Sequence, residues 1–338
     1  KKSSSKPILI PLLVKNKFTN KKIKYNLLYK KDDLRKEKII MNIIAIIDKI
    51  VKKEEDIDLL LSKYNILPIN HEEGFIEIIP DSITLYDLKL KRFSIQNYIN
   101  EHNPKRSIHE TKMRFVMSCA GYCVITYVLG IGDRHLENIM LTKNGLLFHI
   151  DYGFILGDDP KKLLSPEIRI TPEMVDAMGG FDSQYYELFQ EICKKTYNCI
   201  RRHSNLFEIM LSMLSKLNPS IENNKYNLQL IHNFITKKLV PNENYEEANL
   251  KFITSVEKSH KSQYSSSFID FFHKKKNDII FSKKTQDDNS NIMDSIKKST
   301  KNSTTIKDSI ILESNESSSS FGSGIYNYFF NNTKSNNK

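Results

Sequence analysis

The chain has 338 residues, with 51 lysines and arginines against 40 aspartates and glutamates, which gives a formal net charge of +11. This length is enough for one large or two modest hydrophobic cores, and the positive charge suits an anionic partner such as a membrane surface, a phosphoinositide, ATP or a nucleic acid. The chain has no arginine-rich stripe with interleaved aromatic residues, which argues against a nucleic acid.

The four cysteines indicate a reducing compartment. They are Cys119, Cys123, Cys193 and Cys199, and no pair has the spacing of zinc ligands. Without a recognisable signal peptide, a disulfide framework is not expected, so the compartment is predicted to be cytosolic or cytosol-facing. Cys119 and Cys123 are four residues apart, share one helix face and are expected to be small buried residues.

The first third of the chain is rich in predicted strands. Short apolar runs at residues 8–14 and 25–29 flank a polar turn and predict two paired strands. Isoleucines recur with a helical period through residues 32–52 and predict an amphipathic helix. Residues 74–80, GFIEIIP, predict a further strand that ends in a proline turn.

The chain then becomes helical. Helices are predicted at residues 85–90 and 95–99, followed by an uncharged stretch of eighteen residues, 115–132. That stretch is at the lower limit of a membrane span, but small and polar residues dilute it. We predict a fully buried helix there and no transmembrane segment.

The rest of the chain divides into helices and a polar tail. A loop after Asp151 precedes helices that continue to residue 217, and two more are predicted near residues 226–239 and 245–273. From residue 274 the composition changes to serine, asparagine and lysine. Such a segment buries too little apolar surface to offset its ordering entropy, so we predict disorder.

One stretch, GIGDRHLENIMLTKNGLLFHIDYG at residues 130–153, carries the chemistry. It places Asp133, His135 and Asn138 on one short loop. A turn at Asn144 and Gly145 and an apolar strand at residues 146–150 then lead to Asp151. Phosphoryl transfer from ATP needs a base near the acceptor hydroxyl and oxygen ligands for Mg²⁺ around the phosphates, which this set offers. The alternative is a helix, turn and strand whose polar residues only cap and turn.

The order of these residues differs from that of a protein kinase, which has His-Arg-Asp in its catalytic loop. Asp-Arg-His followed by asparagine resembles the phosphatidylinositol 3- and 4-kinase superfamily. Residues 118–142, 148–161 and 169–180 are similar to a class III phosphatidylinositol 3-kinase of the vacuolar protein-sorting type, as are KKDDLRKEK at 30–38 and DLLLSKYNIL at 58–67.

The resemblance implies an α+β, two-lobed, protein-kinase-like fold. Residues 1–79 would be a small β-rich N-terminal lobe without its first strands, residues 80–273 a larger, mainly helical C-terminal lobe, and residues 274–338 the tail. ATP would bind between the lobes with Mg²⁺ or Mn²⁺. His135 would be the general base, with Asp133 orienting it or acting as the base itself. Asn138 and Asp151 would bind the metal.

The resemblance also implies a nucleotide site in the small lobe. Lys30 would contact the α- and β-phosphates, supported by Glu37, although neighbouring Lys31 is an alternative. Tyr64 would line the pocket, and Ser3 matches the loop that covers the phosphates. The backbone that hydrogen-bonds the adenine would be that of Glu77, Ile78 and Ile79. A simpler alternative for Glu37 is that it caps the helix that follows.

The resemblance implies that the loop after Asp151 selects the substrate, because members of the superfamily that act on phosphorylated phosphoinositides share a basic run there. The alternative is that the loop is only a structural connection to the next helix, with specificity set elsewhere. The lysines of this loop, Lys161 and Lys162, are offset by Asp158 and Asp159, which suits unphosphorylated phosphatidylinositol, since extra phosphates would require a basic run. The resemblance implies phosphatidylinositol 3-phosphate synthesis for endosomal sorting and autophagy, on the cytoplasmic face of those membranes, with protein-kinase-like and coiled-coil regulatory subunits. Alternatives are a phosphatidylinositol 4-kinase, a related protein kinase, or a catalytically weak scaffold.

Overall fold

The apolar runs at the start of the chain form a four-stranded antiparallel sheet. In the computed structural model, which describes residues 7–15, 20, 22–160, 166–217 and 227–261, the strands are β1 (Ile8–Lys15), β2 (Lys22–Lys30), β3 (Ile66–Pro68) and β4 (Gly74–Glu77). Their order in the sheet is β1-β2-β4-β3. Lys30 at the end of β2 lies opposite Gly74 at the start of β4, so β2 delivers Lys30 to one edge of this small lobe.

A long amphipathic helix, α1 (Arg35–Glu55), follows β2. It starts three residues later than the isoleucine period predicted because the Asp33 carboxylate accepts the Arg35 N–H at 3.1 Å and ends the preceding turn. Its buried face includes four isoleucines of the predicted period, Ile40, Ile43, Ile44 and Ile47, and also Val51. Glu37 lies in its first turn, where a carboxylate also complements the helix dipole.

The large lobe begins with a second antiparallel sheet and three helices. The strands, in the order β5-β6-β7, are β5 (Ser82–Thr84), β6 (Ile139–Thr142) and β7 (Leu147–His149). The helices are α2 (Leu85–Leu90), α3 (Ile95–His102) and α4 (Ile108–Leu129). Strands β6 and β7 form a hairpin that directly follows the loop at residues 130–138, so this small sheet fixes the C-terminal end of that loop.

Helix α4 is the centre of the large lobe. Ser107 and Glu110 form a capping box at its start, and it ends at Gly130, whose φ of 56° favours glycine. From Ser118 to Leu129 every residue is buried, as predicted for a helix that is apolar on all sides. Among the described residues, no helix is long and apolar enough to span a membrane.

The remaining described helices surround α4. They are α5 (Pro172–Met178), α6 (Gln184–Arg202), α7 (Ser204–Ser212), α8 (Leu228–Leu239) and α9 (Tyr245–Lys261). Helix α6 packs along α4 and also contacts α1, which joins the two lobes. Tyr127, Tyr197 and Phe252 bring α4, α6 and α9 together, with ring centroids 4.9–5.8 Å apart.

The predicted α+β class, with a small strand-rich lobe and a larger helical lobe, is confirmed. Cys119 and Cys123 are buried as expected, and Cys193 and Cys199 are buried as well. The sequence analysis missed β3, β5 and β6, because strands of three or four residues are too short to show a period. The described residues all belong to one compact unit, residues 1–266. The predicted domain boundaries stay predictions, and the tail at residues 274–338 lies outside the described residues.

Candidate active site

The polar loop between α4 and β6 is closed by its own hydrogen bonds. The Asp133 carbonyl accepts from the His135 N–H and from the Asn138 side-chain amide, both at 3.0 Å. A single 3₁₀ turn, Leu136–Asn138, then leads into β6. Asp133 has a φ of 53°, an uncommon conformation that these bonds hold in place. The loop therefore presents its three polar side chains in a fixed arrangement.

His135 lies between two carboxylates. Its Nε2 is 3.8 Å from Asp133 Oδ2, and its Nδ1 is 3.7 Å from Glu137 Oε2. Its side chain is 10% exposed and that of Asp133 is 19% exposed, so both can reach a substrate while being partly shielded from water. A proton taken up by this imidazole would be stabilised by the two negative charges. This arrangement can perform general base catalysis.

Arg134 ties this loop to Asp151. Its guanidinium donates to the carbonyls of Gly132 at 2.9 Å, Ile150 at 2.8 Å and Asp151. The Ile150 N–H also donates to the Asn138 carbonyl at 3.1 Å. The loop and the strand end are therefore one hydrogen-bonded unit, although the sequence separates them. The sequence analysis gave Arg134 no role. The signal that could have found it is a positively charged residue that follows the long uncharged stretch, directly after Asp133.

Asn138 and Asp151 are the predicted metal ligands. The Asn138 Nδ2 donates to the Asp133 carbonyl, so the side-chain oxygen of Asn138 is the atom that can bind a metal. Asp151 is exposed, with a φ of 60°, and its Oδ1 accepts from the Gly153 N–H at 3.1 Å. One carboxylate and one amide oxygen fit Mg²⁺ or Mn²⁺ that is also bound by nucleotide phosphates. No cluster of three or more His, Cys, Asp or Glu that could hold a metal by itself occurs in the described ranges.

Lys30 and Glu37 face this unit from the small lobe. The Lys30 Nζ is 2.8 Å from Asp32 Oδ2. Burial acts to lower the pKa of Lys30, but the Asp32 hydrogen bond and the charges of Asp151 and Glu37 outweigh it, so the pKa is raised. Burial, together with the Asp151 charge, raises the pKa of Glu37. Lys30 is therefore within electrostatic reach of Asp151.

Tyr64 supports Glu37 from behind. Its hydroxyl donates to Glu37 Oε1 at 2.8 Å, and the residue is only 4% exposed. Burial raises the pKa of this phenol well above its usual value, with the Glu37 charge adding to the effect, so it stays a hydrogen-bond donor. A contact that sequence analysis missed lies nearby, where Lys36 of α1 donates to the Gly153 carbonyl. This bond joins α1 to the residues that follow Asp151.

Some backbone groups that were predicted to bind adenine already form hydrogen bonds within the chain. The N–H of Glu77 donates to the Asn65 carbonyl at 2.8 Å, and that of Ile78 donates to the Asn26 carbonyl at 3.0 Å. Neither group can bind a purine without breaking a bond of the small lobe. The Ile79 N–H and the Ile78 carbonyl are the groups we expect to contact the base.

The segment after Asp151 packs against the catalytic loop. The Asp133 N–H donates to Asp159 Oδ2 at 2.7 Å, and a Cβ on Gly132 would lie 2.5 Å from the Asp158 carbonyl oxygen. Asp159 therefore stabilises the catalytic loop. Three residues of the sequence prediction lie outside the described residues: Ser3, Lys161 and Lys162.

Comparison with known proteins gives a consistent result. The sequence profile of the phosphatidylinositol 3- and 4-kinase family matches residues 24–100 and 89–225. The chain is 44% identical to a phosphatidylinositol 3-kinase of Arabidopsis thaliana over 53% of this chain and 22% of the plant protein. It is 39% identical to one of Schizosaccharomyces pombe over 60% of this chain and 26% of the yeast protein. The chain thus spans about a quarter of the length of these relatives.

A more distant similarity is broader along this chain. A phosphatidylinositol 3-kinase C2 domain-containing subunit gamma of Rattus norvegicus is 34% identical over 68% of this chain, which is 16% of the rat protein.

Proposed function

This chain belongs to the phosphatidylinositol 3- and 4-kinase family, and from that premise we propose that it transfers the γ-phosphate of ATP to the 3-hydroxyl of phosphatidylinositol. One observation carries the proposal: Arg134 joins the loop of Asp133, His135 and Asn138 to the carbonyl of Asp151. Base and metal ligands are thereby fixed relative to each other before any substrate binds. Preorganisation of this kind is the main source of catalysis in phosphoryl transfer.

His135 takes the proton of the attacking hydroxyl in this mechanism. Its ring nitrogens lie near the carboxylates of Asp133 and Glu137, which stabilise the imidazolium that forms. Asp133 also orients the ring, and its carbonyl positions the Asn138 amide through the 3.0 Å bond. The proton stays on the ring until the phosphorylated product leaves.

Asn138 and Asp151 would hold the divalent metal. The metal, when bound, neutralises charge that develops on the transferred phosphate. Lys30 adds a fixed positive charge on the small-lobe side, where the α- and β-phosphates would lie. Glu37 holds Lys30 electrostatically, and Tyr64 keeps Glu37 in place with its 2.8 Å hydrogen bond.

The choice of unphosphorylated phosphatidylinositol follows from the loop after Asp151. Asp159 places a carboxylate beside the catalytic loop, where the Asp133 N–H donates to it, and Asp158 adds a second carboxylate at the preceding position of the chain. A headgroup that already carries phosphates would be repelled there. The plant and yeast relatives are named phosphatidylinositol 3-kinases, which supports position 3 on the ring rather than position 4. We place the reaction on endosomal and autophagic membranes from the cytoplasmic side, with regulatory subunits recruiting the enzyme.

The proposal is tested with phosphatidylinositol vesicles, labelled ATP and Mg²⁺ or Mn²⁺, with lipid products resolved by ring position. The full 338-residue chain is compared with His135→Ala and Asp151→Asn. Asp81→Asn is the matched control for the second variant, because Asp81 is also an exposed aspartate with positive φ, 53°, against 60° for Asp151. His109→Ala is the control for the first.

We expect label at position 3, lost in His135→Ala and Asp151→Asn and kept in both controls. Label at position 4 would make the chain a phosphatidylinositol 4-kinase. Nucleotide binding without any lipid label would favour a protein kinase or a scaffold. Equal loss of label in Asp81→Asn and Asp151→Asn would contradict the metal role of Asp151.

A further inference from the structure

A cavity of about 180 Å³ lies beside the catalytic loop. Its apolar walls include Leu85 and Leu88 of α2, Ile95 of α3 and Leu136, the first residue of the 3₁₀ turn in the catalytic loop. These four side chains belong to buried residues, none more than 5% exposed. An apolar cavity of about 150 Å³ binds benzene, so this cavity has room for a group of about six carbons.

The opening of the cavity carries two cations and one carboxylate, Lys89, Arg92 and Glu173, which we call the rim. All three are more exposed than the apolar walls, so the charges lie where the cavity meets solvent. The Lys89 Nζ is 3.1 Å from Glu173 Oε1, but their side chains are 58% and 44% exposed, so this surface ion pair is weak. Two positive charges against one negative charge leave the rim positive.

Apolar walls below a positive rim favour a ligand with two different ends. An alkyl chain in the cavity leaves water and gains the free energy of apolar burial. An anionic head at the rim meets Arg92, whose guanidinium can bind a carboxylate or a phosphate through two parallel hydrogen bonds. Phe93 also lines the cavity and is 43% exposed, so the apolar wall continues to the surface. A ligand that is polar throughout would leave its polar groups unpaired between the leucines.

We propose that this cavity binds an anionic amphiphile. An alkyl group of about six carbons lies against Leu88, Ile95 and Leu136, and a carboxylate or phosphate is held by Lys89 and Arg92. A fatty acid and a lipid phosphate both have this chemistry. A ligand favours the conformation that it binds, and Leu136 belongs to the catalytic loop. Occupancy therefore stabilises the arrangement of that loop seen here.

A ligand-observed NMR titration of the full 338-residue chain tests the site with hexanoate, hexyl phosphate and hexanol. Hexanol is the uncharged control for the head. Arg92→Met removes one positive charge of the rim. Lys91→Met is the matched control, because Lys91 is the preceding residue, is exposed and does not line the cavity. Glu173→Gln releases Lys89 from its ion pair.

We expect hexanoate to bind about three- to tenfold tighter than hexanol, the factor that two exposed charge contacts are worth. Arg92→Met should weaken hexanoate about two- to threefold and leave hexanol unchanged, whereas Lys91→Met should match the parent. Glu173→Gln should tighten hexanoate by about twofold, because Lys89 is then shared with no carboxylate of the rim. Tighter hexanoate would indicate a fatty acid as the natural source, and tighter hexyl phosphate would indicate a lipid phosphate.

Hydrogen exchange tests the connection to the catalytic loop. With saturating hexanoate, amides in residues 136–142 should exchange more slowly, and those in residues 39–51 of α1 should not change. Equal affinities for hexanoate and hexanol, or equal effects of Arg92→Met and Lys91→Met, would overturn the assignment of an anionic ligand. Binding of none of the three compounds would overturn the site, and unchanged exchange in residues 136–142 would overturn the connection. These measurements use neither ATP nor phosphatidylinositol, so they decide this inference independently of the proposed function.

Discussion

Replacing Arg134 by methionine should damage both the stability and the metal site of this chain. The guanidinium is buried and donates to the carbonyls of Gly132, Ile150 and Asp151. Hydrogen bonds from a charged donor are worth about 1.5–3 kcal/mol each, but removing the arginine also recovers the cost of burying its charge. We expect a net loss of about 2–4 kcal/mol in the free energy of unfolding.

The functional consequence follows from the same three bonds. Without them the carbonyl of Asp151 is no longer held against the catalytic loop, so the distance between the Asp151 and Asn138 oxygens varies more. The Mg²⁺ concentration that gives half-maximal activity should rise about tenfold, because roughly 1.4 kcal/mol of preorganisation is lost.

Urea denaturation at pH 7 and Mg²⁺ titration of kinase activity measure the two effects. Arg114→Met is the control, since Arg114 donates a single bond, at 2.9 Å, to the Asn144 carbonyl near the surface. That variant should lose less than about 1 kcal/mol and keep its Mg²⁺ dependence. If Arg134→Met and Arg114→Met lose equal stability, or if the Mg²⁺ dependence of Arg134→Met is unchanged, Arg134 does not position Asp151.

Three further substitutions have defined outcomes. Tyr64→Phe removes the hydrogen bond that lowers the pKa of Glu37, so the acidic limb of the pH–activity profile should move to higher pH; an unmoved limb would exclude Glu37 from catalysis. Burial, and then the charge of Arg134, hold the pKa of His149 well below 6.5, so below pH 6.5 only the unfolded chain binds this proton. The free energy of unfolding therefore falls by up to about 1.4 kcal/mol per pH unit as the pH decreases below 6.5. In His149→Gln, the denaturation midpoint should fall less steeply with decreasing pH than in the parent. Gly132→Ala would place a Cβ 2.5 Å from the Asp158 carbonyl oxygen, and thermal unfolding should show a loss of about 1–3 kcal/mol.

The candidate site was visible in the sequence because its polar residues are bounded by apolar runs. Asp133, His135 and Asn138 follow the uncharged stretch that became α4, and Asp151 follows β7. The long elements, α1 and α4, were predicted for the same reason: their apolar residues repeat over many turns. Side-chain type and spacing were sufficient there.

Contacts with backbone carbonyls were not visible. Arg134 and Lys36 bind carbonyl oxygens, which every residue has, so no residue type marks their partners. The pairing that engages the N–H groups of Glu77 and Ile78 depends on how β4 lies between its neighbours, which a single strand pattern does not fix. The ion pair of Lys238 and Glu167 joins residues far apart in the chain.

Ion pairs hold helix α1 at its C-terminal end, which lies away from the candidate site. Arg202 at the end of α6 binds Glu54 and Glu55 at 3.0 and 2.6 Å, and His203 also contacts Glu54. Glu37 lies about 26 Å along the helix from Glu54, from a rise of about 1.5 Å per residue. A tilt of about 5° around the fastened end would move Glu37 by about 2 Å, more than a hydrogen bond tolerates. A rotation of that size at the junction with α6 would therefore break the hydrogen bond between Tyr64 and Glu37 and weaken the electrostatic hold of Glu37 on Lys30.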